Sequence, residues 1–225
     1  MLFACAIEND GIEMGVFNKD HLVFAARLSA SLERSPDEYA ILINSIFQIN
    51  RILPASVDGA IMASVVRPLN NTLSEAIEKL TLIKPMSVGP GVKTGLNIKT
   101  DIPSQVGADI VANAVAALAM SKGPLAVIDF GTATTVTGIN AAGELSGVVI
   151  APGVKSSLNA LSAQASELPG ISLDNPGALL GKNTQESMVS GFVYGFSALI
   201  DGLLDRIADL WHPDNLTIIA TGPLA

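Results

Sequence analysis

Hydropathy and turn residues place the same order of elements in both halves of the chain, and this repetition constrains the fold more than any single motif does. Residues 2 to 28 alternate β-rich runs with polar turns, LFACAI, GIEMGVF and HLVFAARL, with Asn18 to Asp20 as one turn, which reads as a meander of three strands. Ser35-Pro36-Asp37-Glu38 then offers a capped helix start, and Tyr39, Leu42, Ile43, Ile46 and Phe47 recur at helical spacing. GAIMASVV reads as a buried strand, Asn70 to Leu82 as a helix, and PMSVGPGVKTG as a strand entering a glycine-rich loop. The second half repeats the order: PLAVIDF, ATTVTGI and GELSGVVI as strands, helices from Val154 to Glu167 and from about Asn183 to Leu210, then LTIIATG as a strand. A meander followed by helices and further strands, twice over, implies an α/β protein of two duplicated domains, residues 1–118 and 119–225, with a cleft between them. In such a pair the first hairpins face each other and can hold a nucleotide's phosphates from both sides. The second copy stops at IATGPLA, where a full copy would add at least one more helix, so its C-terminus is expected to be short.

The two hairpins differ in chemistry. VIDFGTATTV puts Asp129 at a strand end, where an acid can hold a cation; Gly131 lets backbone approach a phosphate, and Thr132, Thr134 and Thr135 supply hydroxyls. A plain hairpin would need neither the Asp nor the Gly, both poor strand residues. The first copy, ACAIENDGIEMG, has the same outline with Ala6 in place of the acid and Glu8 in place of the glycine. GPGVKTG is no Walker A loop, because Lys93-Thr94 precedes the closing Gly95. Asp109 opens a helix whose small apolar face, Ala112, Val115 and Ala116, is expected to pack inward. On local grounds an acid complementing the helix dipole and a catalytic carboxylate are equally open there. In GKNTQESM, Asn183 or Thr184 reads as a helix cap with Glu186 in the first turn.

Composition removes several classes. A net charge of −8 and a pI near 4.6, with no basic run, argue against nucleic acid as a partner. With 49% hydrophobic residues and mean hydropathy +0.46 the chain can bury a core. Its apolar stretches are broken by Gly, Pro or charge before the roughly 18 residues that span a bilayer, so no membrane association is expected. Residues 1 to 7 lack the basic start of a signal peptide, and the single cysteine, Cys5, reads as a buried thiol in a reducing cytoplasm. His21 and His212 have no companion ligands at zinc spacing.

Taken together, GPGVKTGLNI, VGAD, VIDFGTATT, IAPGVKSSLNAL, LGKNTQESMVSG and IATG, in that order, resemble the type III pantothenate kinases of the actin-like ATPase (ribonuclease H-like) superfamily. The resemblance implies a homodimer that uses ATP with Mg2+, and a monovalent cation (K+ or NH4+), to phosphorylate pantothenate to 4'-phosphopantothenate, the first step towards coenzyme A. By the same resemblance Asp109 is the general base on the pantothenate hydroxyl, Asp129 a cation-binding acid, and Gly131 and Thr132 ATP contacts. Gly107 and Ala108 line the pantothenate site, and Thr184 reaches it from the neighbouring subunit. The helix containing Gly191, Tyr194 and Gly195 is expected near the dimer interface.

The chain departs from the family at informative places. Ala6, Ile7, Glu8, Asn9 and Asp10 occupy the first ATP-binding motif, where the family has Asp, Gly, Asn and Thr at the positions of Ala6, Glu8, Asn9 and Asp10, so only the asparagine is kept. In the pantothenate site an aromatic is replaced by Thr100, and the arginine that pairs with the substrate carboxylate by Ile110. Losing that charge-assisted bond, worth about 1.5–3 kcal/mol, weakens binding roughly 10- to 150-fold. Glu8 and Asp10 each add on the order of 4 kcal/mol of repulsion if about 4 Å from a phosphate at an effective dielectric of about 20, unless they turn away. Weak activity of the chain alone is therefore expected. The alternative is a non-catalytic or regulatory subunit in a heteromer with a competent paralogous subunit.

Overall fold

The structure, a computed structural model, describes residues 1–89, 92–212 and 215–225. Pro90 and Gly91 of the expected glycine-rich loop lie outside the described residues. The chain divides into two compact units, Met1–Thr94 with Ile102–Asn113, and Gly95–Asp101 with Ala114–Ala225.

The first unit opens with the expected meander, β1 (Leu2–Ile7), β2 (Ile12–Asn18) and β3 (His21–Leu28). The turn between β2 and β3 holds Lys19 at a positive φ of 54°. Then come α1 (Pro36–Ile49), β4 (Gly59–Ser64), α2 (Leu69–Thr81) and the two-residue β5 (Met86–Ser87). The sheet order is β3-β2-β1-β4-β5; the meander pairs are antiparallel, and β4 runs parallel to β1 and β5. Ser35 caps α1 in a full capping box with Glu38, and this fixes the helix start. One face of β1 and β2 (Phe3, Cys5, Ile7, Ile12, Met14, Val16) packs on Tyr39, Ile43 and Phe47 of α1 and on Leu69, Leu73 and Ile77 of α2. Phe47 meets Phe3 and Phe24 edge-on, with ring centroids 5.3 and 5.9 Å apart. Cys5 is buried in this core, and burial pushes its thiol pKa up to about 12.

The second unit repeats the plan. It contains β6 (Asn97–Ile98), β7 (Leu125–Phe130), β8 (Ala133–Ile139), β9 (Glu144–Pro152), α4 (Val154–Gln164), α5 (Thr184–Trp211) and β10 (Thr217–Thr221), in the sheet order β10-β7-β8-β9-β6. The run β9-β8-β7-β10 has the order and strand directions of β3-β2-β1-β4. Asp129 thus stands at the strand position that Ala6 holds in the first sheet, which identifies the two hairpins as copies of one motif. β6 is tied to the edge of β9 through Glu144, whose carboxylate accepts from Asn97 Nδ2 at 2.6 Å and Asn140 Nδ2 at 3.1 Å.

The remaining helix, α3 (Ala108–Met120), corrects one expectation. Its buried residues are Ala108, Ile110, Val111, Ala114 and Ala117, whereas Ala112 and Ala116 are exposed. The sequence ADIVANAVAALAM is apolar nearly all round, so no polar stripe fixes the phase of the helix. The expectation that no run is apolar enough to span a bilayer also needs correcting. By length and composition alone α5 is long and apolar enough to cross a membrane. The same composition belongs to a core helix, and Ile200, Leu203, Leu204 and Ile207 of α5 pack on Ala126, Ile128 and Val136 of the second sheet.

Candidate functional site

In the second unit the site is built where β7 and β10, paired in parallel, both end. The half-buried Asp129 is the penultimate residue of β7, and the turn Gly131–Thr132 leads into β8. Glycine backbone bounds the carboxylate on two sides: a Cβ at Gly222, which has a φ of +94°, would stand 2.7 Å from Asp129 Oδ1, and one at Gly131 would stand 3.7 Å from it. The start of α4 holds the turn from behind, as the Thr132 carbonyl accepts from the Gly153 N–H at 3.1 Å and from Ser156 Oγ at 2.8 Å. A Cβ at Gly153 would run into the carbonyl oxygens of Gly131 and Thr132. The Thr132 side chain is exposed. The result is a carboxylate beside a fixed, glycine-lined turn, which can take a phosphate chain and its cation. Among the described residues no three or more His, Cys, Asp or Glu side chains are grouped to hold a metal ion. A cation at Asp129 would therefore complete its shell with backbone, phosphate or water oxygens, the usual manner of Mg2+ bound through one or two carboxylates.

Because the clash at Gly153 is with backbone on both sides, Gly153→Ala is expected to lower the unfolding free energy by about 1–3 kcal/mol. Thermal denaturation checks this, and an unchanged melting temperature would show that the turn and α4 slide apart freely.

In the first unit the corresponding turn, Glu8 to Gly11, is closed by Glu8 N–H donating to the Gly11 carbonyl at 2.8 Å. Asn9 and Asp10 are exposed at its tip, Ala6 faces away from the core, and Ile7 is buried at 1% exposure. The Asp10 carboxylate is bound by Arg27 Nη2 at 2.7 Å. Elsewhere in this unit, Asp109 lies in the first turn of α3, flanked by the buried Ala108 and Ile110. Its Oδ1 is buried without a hydrogen-bond partner and lies directly over Gly107, where a Cβ would collide with it. An orphaned carboxylate oxygen is costly, and a hydroxyl group donating to it would relieve that cost.

Two further expected residues lie in the second unit. Thr100 follows β6, and its Oγ1 is likewise buried and unpartnered. Thr184 is exposed at the first position of α5, after Asn183, whose side chain caps the helix by accepting from the Glu186 N–H at 2.9 Å. It lines a cavity of about 820 Å3 together with Gly181, Ser187, Gly191, Phe192 and Gly195. Arg27, Gly153, Ser156 and Gly222 were not singled out by sequence reasoning. A glycine directly before a helix was the available signal for Gly153; none pointed to Arg27, which reaches the turn from the next hairpin.

Comparison with known proteins adds a family. A family profile described as type III pantothenate kinase matches residues 2–206. The chain is 39% identical over its full length to the type III pantothenate kinase of an Exiguobacterium species, and 42% identical to that of Shouchella clausii; it covers 88% of each. Among solved structures it resembles the ethanolamine utilization protein EutJ of Carboxydothermus hydrogenoformans, with a TM-score of 0.53 and 13% identity over 98% of this chain and 75% of that one.

Proposed function

The chain belongs to the type III pantothenate kinase family, with the actin-like ATPase fold, and from that premise we propose that it phosphorylates pantothenate with ATP in the cytoplasm. The observation that carries the reading is the unpartnered Asp109 Oδ1 held over Gly107. In this reading Asp109 accepts the proton of the pantothenate hydroxyl as that oxygen attacks the γ-phosphate, the bond from the γ-phosphorus to the β,γ-bridging oxygen breaks and ADP leaves, with Gly107, Ala108 and Thr100 lining the substrate. The Gly131–Thr132 turn and the Ala6–Asp10 turn receive the phosphates. Asp129 and the turn beside it would hold the cations, where Mg2+ neutralises charge developing on the phosphoryl oxygens and K+ or NH4+ assists. The active form is a dimer in which Thr184 reaches the pantothenate of the neighbouring subunit.

Ala6, Glu8 and Ile110 favour a second reading, a regulatory subunit of a heteromer with a competent paralogue. One assay separates the two: purified protein with Mg-ATP, pantothenate and K+, run alone and then mixed with a competent homologue. Turnover by the chain alone that Asp109→Asn removes supports the enzyme. No turnover alone, with activation of the homologue that Thr184→Ala abolishes and Asp109→Asn leaves intact, supports the subunit. Neither turnover nor activation sinks both.

A further inference from the structure

The acidified turn of the first unit is not left to itself. Arg27 reaches it from β3, with Nη2 2.7 Å from Asp10 Oδ2 and Nε 3.9 Å from Glu13 Oε1. Strand register sets Glu13 opposite both Ala6 and Arg27, so the three side chains lie on one face of the sheet, the face turned away from the core. With Ala4, Gly15 and Ala63 they line an apolar groove of about 680 Å3, in which Glu13 and Arg27 are the charged groups among the described lining residues. The pose of the guanidinium depends on Gly11, since a Cβ there would stand 2.6 Å from Arg27 Nε. The hydrogen bond to Asp10, together with the charges of Asp10, Glu13 and Glu8, holds the guanidinium pKa above its ordinary value.

We propose that Arg27 is a positioning residue for this half of the nucleotide site: by binding the Asp10 carboxylate it keeps that charge off an incoming phosphate chain and lets an acidic turn accept Mg-ATP. The proposal rests on reading the turn as phosphate-facing. It accounts for how a chain with Glu8 and Asp10 in a phosphate-binding motif can still bind nucleotide. The pair is about half exposed, so its effect is electrostatic and sensitive to salt.

The test is calorimetric titration of Mg-ATP into the full chain without pantothenate, so that it does not depend on turnover. Arg27→Gln is expected to weaken binding about tenfold at low salt, with the penalty shrinking as ionic strength rises. Asp10→Asn added to Arg27→Gln should restore the affinity, because no carboxylate remains to be released. Gly11→Ala, which displaces the guanidinium by a different route, should behave like Arg27→Gln and be rescued by the same change. If Asp10→Asn fails to rescue Arg27→Gln, Arg27 itself holds the phosphate and the proposal is overturned. Equal affinity of Arg27→Gln and the unmodified chain also overturns it. If the unmodified chain binds no nucleotide at all, the kinase reading fails first and takes this proposal with it.

Discussion

The chain carrying Ala6→Asp, Glu8→Gly, Asp10→Thr and Ile110→Arg together is expected to phosphorylate pantothenate orders of magnitude faster than the unmodified chain, and adding Asp109→Asn should abolish the gain. The substitutions return a carboxylate to the end of β1, remove the Glu8 charge and the Asp10 charge that occupies Arg27, and supply a partner for the substrate carboxylate, the last worth roughly 10- to 150-fold by itself. They must be made together, because groups that share one ligand do not act additively. The structure adds a condition that the sequence concealed. Ile110 is only 8% exposed, so an arginine there desolvates its guanidinium until an anion pairs with it. The restored chain should therefore melt lower than the parent without ligand and gain more from saturating pantothenate than the parent does. Steady-state kinetics and thermal denaturation check the two halves of this prediction. Full restoration without activity would mean that these four substitutions are not what limits the chain.

Gly107→Ala in the restored background should reduce kcat roughly a hundredfold with little change in melting temperature. The added methyl collides with Asp109 Oδ1, so the carboxylate must rotate off its buried position, and small displacements of a base cost about this much. The discriminating control is the double variant. If Gly107→Ala acts by displacing the carboxylate, it should have little further effect once Asp109 is already Asn. A full additional hundredfold loss in the double variant would mean that Gly107 serves the substrate directly.

How much of this was legible beforehand depended on the range of the interactions. The α1 start was readable because a capping box is complete within Ser35 to Glu38, and the β2–β3 turn because Asn18 to Asp20 is polar between two apolar runs. The doubled sheet order followed from the repeat itself. The phase of α3 was not readable, since small apolar residues on all sides leave the choice of buried face to its neighbours. Nor was the clamp on Thr132, which needs Gly153 and Ser156 brought back by a whole strand, or the Arg27–Asp10 pair, which bridges two hairpins. The carboxylate at Asp10 looked harmful to a phosphate, yet the structure pairs it with Arg27, which only geometry could reveal. The site roles of Asp109, Asp129 and Thr184 rest on likeness to the family, while their surroundings, above all the orphaned Asp109 oxygen, came from the fold.

The burial of Cys5 has a practical consequence. A thiol pushed to about 12 is almost entirely protonated at neutral pH and unreactive towards alkylating reagents or disulfides. The chain is thus already a silent background for thiol chemistry, and a cysteine introduced at the exposed first position of α5 by Thr184→Cys would be the one position to take a spin label or a crosslinker. Distances between labels on two copies could then be read without first altering the core around β1.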